Sequence, residues 1–240
     1  MDEQNIQLTE VVPAIGQAQI QAAMETLKRY KAGKSRLEQR IVASEEWWKL
    51  RSWEEMRTGG NPFDARWRSA WLFNVIMGKH ADAIAAYPAP AIRPREAADR
   101  AEAQMLTSIV PVILEQNDFE QTYSDSNWTK MKQGTLAWAI LWDGNKLNGL
   151  GDVAVKEVDL LNLFWEPGVT DLQKSRNVFY TEPVDNETLV QRYPELDGKL
   201  RSDPGLVAKY KTDDAVDTAG KSLVVDWYYK KLVNGRTVLH

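Results

Sequence analysis

The chain has 240 residues, of which 43% are hydrophobic and 27% charged, so its composition is that of an ordinary globular protein and excludes disorder throughout. Its formal net charge of -4 argues against a protein that coats nucleic acid, because such domains usually carry a strong basic excess; a weaker or shielded contact with DNA stays open. The absence of cysteine excludes disulfides and thiolate metal sites and fits a reducing intracellular compartment. The longest apolar runs, near residues 109–114 and 137–142, are far shorter than a membrane span, and we predict a soluble protein.

The first predicted element is a helix over residues 11–50, where apolar side chains recur at three- and four-residue spacing and Gly33 is expected to interrupt it. Its second half is basic. The basic residues there are Lys28, Arg29, Lys31, Lys34, Arg36, Arg40, Lys49 and Arg51, against the acids Glu38, Glu45 and Glu46. Two interpretations stay open, a solvated helix face or a patch for an acidic partner surface or DNA phosphate.

Half of the ten tryptophans follow within a short stretch, and such a cluster indicates either a core wedge between helices or a subunit contact. Trp67 and Trp71 are four residues apart, share a helical face with Ile76, and are predicted to lie in the core. Trp47 and Trp48 are adjacent and cannot share a face, so at least one must meet a neighbouring element or another chain. The candidate subunit-contact residues are Trp47, Trp48, Arg51 and Trp53.

Prolines organise the next stretch. The residue before a proline is pushed away from helical angles, so residues 87–94 are predicted to form an extended crossing segment. A helix is predicted over residues 96–117, kinked by Pro111. A second helix is predicted over residues 129–142, running into a core and stopped by Asp143-Gly144.

Strands dominate the remainder. Gly149 and Gly151 predict a turn, after which alternating apolar residues predict a strand over residues 152–159. Further predicted elements are a strand over residues 177–184, a short helix over 186–196, a polar loop over 202–221 and a strand over 223–233. Asn234-Gly235 is a strong hairpin signal. Since the return strand stops after five residues, at His240, we expect the parent gene to continue with the rest of that strand and a long helix.

Catalytic patterns are sparse. His80 and His240 are the only histidines, and no nucleophile stands near a base. The spaced glycines 144, 149 and 151 lack the Lys-Ser/Thr of a P-loop, and the short Asp197-Gly-Lys199 piece falls in a loop rather than on a strand. Five acids could bind Mg²⁺ or Ca²⁺ in a metal-dependent nuclease, or could simply cap turns and coat a strand: Asp143, Asp152, Asp159, Glu166 and Asp171.

A family resemblance is dispersed over most of the chain. Its central residues, in order, are Trp128, Gly134, Trp142-Asp143, Asn148-Gly-Leu-Gly-Asp152, Asp159-Leu160, Phe164-Trp-Glu-Pro-Gly168 and Asp171-Leu-Gln-Lys-Ser-Arg-Asn177. The flanking residues are Arg93-Pro-Arg-Glu96, Asp99, the run over 109–123, Tyr193-Pro-Glu-Leu196 and Val225-Asp-Trp-Tyr-Tyr229. In the order and spacing of these residues, the chain resembles the portal proteins of tailed bacteriophages from about residue 40 to residue 240.

The resemblance implies a structural subunit of a homo-oligomeric ring, usually a dodecamer, at one capsid vertex. Such a ring nucleates head assembly with the major capsid or scaffolding protein and docks the terminase large subunit. It passes double-stranded DNA through its channel and binds head-tail adaptors. The resemblance implies no enzyme activity, no cofactor and no membrane partner, and a location at the portal vertex of the virion after assembly in the host cytoplasm.

The predicted fold class is α+β, with long N-terminal helices followed by a mixed region of helices and antiparallel strands that resembles the portal wing. Residues 1–60 are predicted to form a helical arm and residues 61–240 the wing-like region, incomplete at its C-terminal end. The family's stem, clip and channel loops normally come later in the sequence. We therefore expect that residues 1–240 alone do not close the ring.

Overall fold

A computed structural model describes residues 15–51, 69–85, 87–200, 220–233 and 236–239. Its described α-helices of seven or more residues are α1 (Gln17–Trp48), α2 (Trp71–Ala85), α3 (Arg100–Gln116), α4 (Phe119–Gln133) and α5 (Asn186–Arg192). The described strands are β1 (Trp138–Asp143), β2 (Asp152–Glu157), β3 (Leu163–Trp165), β4 (Asn177–Asp185), β5 (Lys221–Val233) and β6 (Arg236–Leu239). Single 3₁₀ turns cover Ala97–Asp99, Leu160–Asn162, Leu172–Lys174 and Pro194–Leu196. The fold is α+β, as the sequence predicts.

The strands form two sheets. β1 and β2 make an antiparallel hairpin in which Trp138 lies opposite Glu157 and Asp143 opposite Asp152. The other sheet has the order β3-β4-β5-β6. Val233 pairs with Arg236 across β5 and β6, which confirms the predicted hairpin, although the turn residues 234–235 lie outside the described part. The predicted loop over 202–221 also lies outside it, apart from its last two residues.

Gly33 does not interrupt α1, contrary to the prediction, because the helix is continuous from Gln17 to Trp48. Gly33 instead allows the Pro167 ring to approach the helix closely. A Cβ atom placed on Gly33 would lie 2.5 Å from Cγ and 2.9 Å from Cβ of Pro167. The residue is therefore required for packing, and the weak helix propensity that suggested a break is overridden by tertiary contact.

The predicted helix over residues 129–142 is wrong in its second half. α4 ends at Gln133, where Gly134 adopts a left-handed φ of 82° and its amide donates to the Lys130 carbonyl. The following residues form β1, since alternating Trp138, Ile140 and Trp142 suit a strand paired with β2. The predicted burial also fails, because Ile140 and Trp142 are each 68% exposed.

The chain divides into two compact units. The first unit comprises residues 1–34, 164–179 and 227–240, and the second comprises residues 35–163 and 180–226. In the first unit, Tyr30 meets Phe179 edge to face at 5.9 Å, and Phe179 stacks on Trp227 at 6.2 Å. The buried ammonium of Lys34 lies 4.3 Å from the Phe164 ring centre, a cation–π contact that offsets part of its desolvation. The predicted boundary at residue 60 lies outside the described residues.

The core of the second unit joins α1 to the turn that follows β2. Ile41, Leu160 and Leu161 are buried together, and Leu37, Val42 and Ala137 pack around them. This arrangement explains the four-residue spacing of Leu37 and Ile41, because this face of α1 packs on that core. Among the described residues, no helix has both the length and the apolar character needed to cross a membrane.

One side chain fastens the β1–β2 hairpin to the corner between α3 and α4. The Asn117 amide donates to the Val153 carbonyl at 3.0 Å, and its oxygen accepts from the Val155 amide at 3.2 Å. The Lys146 ammonium donates to the same Asn117 oxygen at 2.5 Å and to the Val153 carbonyl at 3.1 Å. The hairpin is thus held by polar contacts as well as by ring packing of Trp138 on Phe119 at 5.4 Å.

Candidate subunit-contact site

The two adjacent tryptophans at the end of α1 point in different directions, as their sequence positions require. Trp48 stacks on Phe73 of α2 at 6.1 Å and meets Trp128 of α4 edge to face at 5.3 Å. Trp47 keeps 41% of its surface exposed. Trp48 therefore anchors α1 to α2 and α4 inside the second unit, whereas Trp47 is partly exposed.

A buried carboxylate lies beside Trp48. Glu45 accepts from Lys132 of α4 at 3.1 Å and lies 3.3 Å from the ammonium of Lys49. Burial alone would raise the pKa of Glu45, but the nearby Trp48 indole and the hydrogen bond and charge of Lys132, helped by Lys49, outweigh burial and lower it. The Lys132 ammonium also lies 5.0 Å from the Trp48 ring centre, so charge and aromatic packing reinforce each other.

This arrangement predicts a pH-dependent loss of stability. Because the pKa of Glu45 is lower in the folded state, its contribution is full above the unfolded-state pKa, about 4.3, and disappears as pH falls through the folded-state value. Glu45→Gln should lower the free energy of unfolding by about 1.5 kcal/mol near neutral pH, and by progressively less as the solution is acidified. Urea unfolding at a series of pH values measures this. Glu25→Gln, at an exposed position of the same helix, is the control and should show no such trend.

The other two candidates have different outcomes. The Arg51 guanidinium lies 3.9 Å from the Glu46 carboxylate, so part of its charge is satisfied within the chain. Trp53 lies outside the described residues, as does Trp67. Trp71 was predicted to be in the core, and this is wrong because 81% of its surface is exposed at the start of α2. Helical spacing with Ile76 therefore does not guarantee that the whole face is covered.

The basic stretch over residues 28–51 contains residues with and without a partner in the described part of the chain. Lys34 lies over Phe164, Lys49 pairs with Glu45, and Arg51 pairs with Glu46. Arg36 and Arg40 are exposed and make no ion pair with any described residue. At 100° per residue, Arg36, Arg40 and Trp47 fall within roughly 40° of one another around the helix. We call these three residues the α1 stripe.

The five acids of the nuclease hypothesis have local structural roles. Asp159 accepts from the Leu161 amide at 2.8 Å and Asp171 from the Gln173 amide at 3.0 Å, so both begin 3₁₀ turns. Glu166 binds Arg176 Nε through both carboxylate oxygens at 3.1 Å. Asp143 accepts from the Asn145 amide at 3.0 Å in the hairpin turn. The capping alternative is therefore confirmed for Asp159 and Asp171.

Asp152 completes this set, since its carboxylate accepts from the Val153 amide at 2.7 Å. His80, the other residue considered for chemistry, packs on Trp128 at 5.3 Å and hydrogen-bonds the Ser124 carbonyl at 3.0 Å. Across the described ranges, no group of three or more His, Cys, Asp or Glu side chains could hold a metal ion. These residues stabilise turns and helix contacts.

Comparison with protein-family models gives a match over residues 80–239, two thirds of the chain, to the family described as phage P22-like portal protein. The chain belongs to the P22-like phage portal protein family. This confirms the resemblance to portal proteins, and the extension of that resemblance to residues 40–79 stays a prediction. A comparison with curated proteins finds no match.

Membership of the portal family supports a structural role. The match includes α3, α4, the hairpin and the four-stranded sheet, whereas the α1 stripe and Trp48 precede it. The part of the candidate site on α1 therefore lies on a segment that the family model does not cover. Of the two rings that Trp48 contacts, Trp128 lies within the matched range and Phe73 precedes it.

Within the matched portal region, the structure shows a groove that sequence reasoning missed. A concavity of about 430 Å³ lies between the extended segment at Tyr87–Pro90 and the corner of α3 and α4, with Pro111, Leu114 and Phe119 on its walls. Its acidic members are Glu115, Asp118 and Glu120, and we call it the acidic groove. No local pattern in the sequence signals this groove, because its walls come from an extended segment and from two helices that meet only in the folded chain.

The electrostatics of the acidic groove are unusual. Among the described residues, Glu115, Asp118 and Glu120 have no ion-pair partner. Burial raises the pKa of Tyr87, and the nearby Glu120 carboxylate adds to the rise. Asp118 has a left-handed φ of 47° and makes no capping hydrogen bond. The groove therefore combines apolar walls with carboxylates that have no ion-pair partner in the described part of the chain.

Proposed function

We propose that this protein is a subunit of the portal ring at a phage capsid vertex, a structural role in which DNA passes through the ring during packaging and ejection. The observation that carries the proposal is the portal family match over residues 80–239. The fold is consistent with it, since the matched region contains helices and antiparallel strands.

Exposed apolar surface supports assembly with further copies. Single protein chains seldom expose contiguous apolar patches larger than about 300–600 Å². Here large apolar side chains are exposed along α2, along α3 and on the hairpin: Trp71, Leu72, Val75, Met105, Ile109, Val112, Ile140, Trp142 and Leu150. Covering such surfaces by neighbouring subunits would remove them from water, and a head-to-tail contact that closes on itself makes a ring.

The same proposal includes a ring of about twelve subunits. This ring would contact the major capsid or scaffolding protein, dock the terminase large subunit and bind head-tail adaptors. The net charge of -4 suits a protein past which DNA slides, because tight binding depends on cations that neutralise phosphates. The virion vertex would then be its final location, after assembly in the host cytoplasm.

The test is assembly of the protein expressed from its complete gene. Mass photometry should show a discrete ring-sized species, and negative-stain images should show closed rings with a central channel. A protein that stays monomeric at every concentration would contradict the proposal.

A DNA-cleavage assay separates this function from the nuclease hypothesis. With Mg²⁺ and linear or circular DNA, we expect no cleavage by the purified protein. Cleavage that disappears in the double variant Asp143→Ala/Asp152→Ala would instead establish an enzyme. Since these two residues face each other across the hairpin, the double variant removes both acids from one place.

A further inference from the structure

The α1 stripe and the acidic groove are complementary surfaces within the second unit. The stripe carries two arginines without described ion-pair partners and a partly exposed tryptophan. The groove carries three carboxylates without described ion-pair partners and apolar walls built from proline, leucine and aromatic side chains. The arginines of the stripe match the carboxylates of the groove in charge, and the tryptophan of the stripe matches the apolar walls of the groove.

The stripe has the layout of a binding anchor. Arg36 and Arg40 are one turn apart, and Trp47 lies two turns beyond Arg40, so the three side chains span about 16 Å along one face of α1. Tryptophan and arginine dominate the energetics of protein interfaces, because a large flat ring fills a pocket while guanidinium groups pair with carboxylates around it. A concavity of about 430 Å³ can receive an indole ring.

We propose that the α1 stripe of one subunit docks in the acidic groove of the next, with Trp47 against the apolar walls and Arg36 and Arg40 paired with the carboxylates of Glu115, Asp118 and Glu120. The inference rests on the proposed ring function and names the partner of the candidate site as a second copy of this chain.

A second copy is the occupant that the charges favour. Within one copy, Arg36 and Arg40 make no ion pair with any described residue, and the groove carboxylates make none either. A second copy of the chain would supply the opposite charge to both sets. Because the stripe and the groove are different surfaces of one subunit, their contact is head to tail, and a head-to-tail contact generates a ring when its rotation closes.

The test is a charge exchange in the protein expressed from its complete gene. The stripe variant Arg36→Glu/Arg40→Glu and the groove variant Glu115→Lys/Glu120→Lys should each weaken self-association by roughly tenfold or more, because like charges would then face each other at every contact. Mixed in equal amounts, the two variants should assemble again with strict alternation, since each reversed surface then meets a complementary one. Mass photometry and native mass spectrometry give the mass and the composition.

Controls separate assembly from folding. Thermal melts of both variants should match that of the native protein, because all four positions are on the surface. The matched control Arg100→Glu/Arg192→Glu changes the same charge at exposed positions of α3 and α5 and should assemble like the native protein. Trp47→Ala should weaken assembly in the same assay.

Three outcomes would overturn the inference. Native-like assembly of both charge variants would show that another surface holds the ring, and the proposed function would stand. Failure of the mixture to recover assembly, with both variants folded, would show that the stripe and the groove do not meet. Absence of self-association by the native protein would overturn the ring itself, and the inference with it.

Discussion

Replacing Trp48 by alanine is expected to lower the free energy of unfolding by about 3 kcal/mol, at the lower end of the range for large aromatic residues in a core. The substitution removes a ring that stacks on Phe73 at 6.1 Å and meets Trp128 at 5.3 Å. It also removes the surface beneath the Lys132 ammonium, which lies 5.0 Å from the ring centre. Three separate contacts are lost at one position, and urea unfolding followed by circular dichroism measures the cost.

The neighbouring residue provides the control. Trp47→Ala should lower the free energy of unfolding by less than Trp48→Ala does, because 41% of the Trp47 surface is already exposed to water. In the protein expressed from its complete gene, the same variant should weaken ring assembly. Equal destabilisation by both substitutions would mean that both rings contribute to the core, and Trp47 would then have no separate role between subunits.

Gly33→Ala should destabilise the protein by about 1–3 kcal/mol, although alanine is the better helix former. The added Cβ would lie 2.5 Å from Cγ of Pro167, a distance that real Cβ contacts essentially never reach, and a proline ring has little freedom to move away. Gly78→Ala in α2 is the matched control, because no atom lies within 4 Å of its added Cβ. That control should stabilise the protein by about 1 kcal/mol.

A double-mutant cycle tests the assigned cause. Combining Gly33→Ala with Pro167→Gly removes both ring atoms that the new Cβ would meet, so the pair should show a favourable coupling of about 1–2 kcal/mol. Stabilisation by Gly33→Ala alone would show that α1 and the Pro167 turn can separate without cost. Thermal and urea unfolding of the four proteins supply the required values.

The sequence predicts elements well where local signals and tertiary packing agree. The helix over residues 96–117, the strand over 177–184 and the hairpin at Asn234-Gly235 each match, because caps, alternation and turn residues point to one structure. The helix predicted over residues 129–142 is wrong in its second half, because the apolar residues there fit both the helical and the strand period. The left-handed turn at Gly134 ends the helix and decides between the two. The helix break predicted at Gly33 is wrong, because the glycine is needed for the close approach of Pro167, which no local pattern reveals.

The candidate site was partly predictable. Two adjacent tryptophans on a helix must face different ways, and the structure places Trp48 inward and leaves Trp47 partly exposed. The acidic groove could not be predicted, because its walls come from an extended segment and from two helices that meet at Asp118. Segments this far apart in the sequence form a common surface only after the chain has folded.

The polar clamp at Asn117 has a consequence for how the hairpin can associate. Its amide group donates to the Val153 carbonyl and accepts from the Val155 amide, which are the two bonds that an added strand would make to the free edge of β2. That edge is therefore blocked against strand addition, a common route to aggregation, by one side chain rather than by a further strand. A foreign strand that approached this hairpin would have to bind along β1 instead.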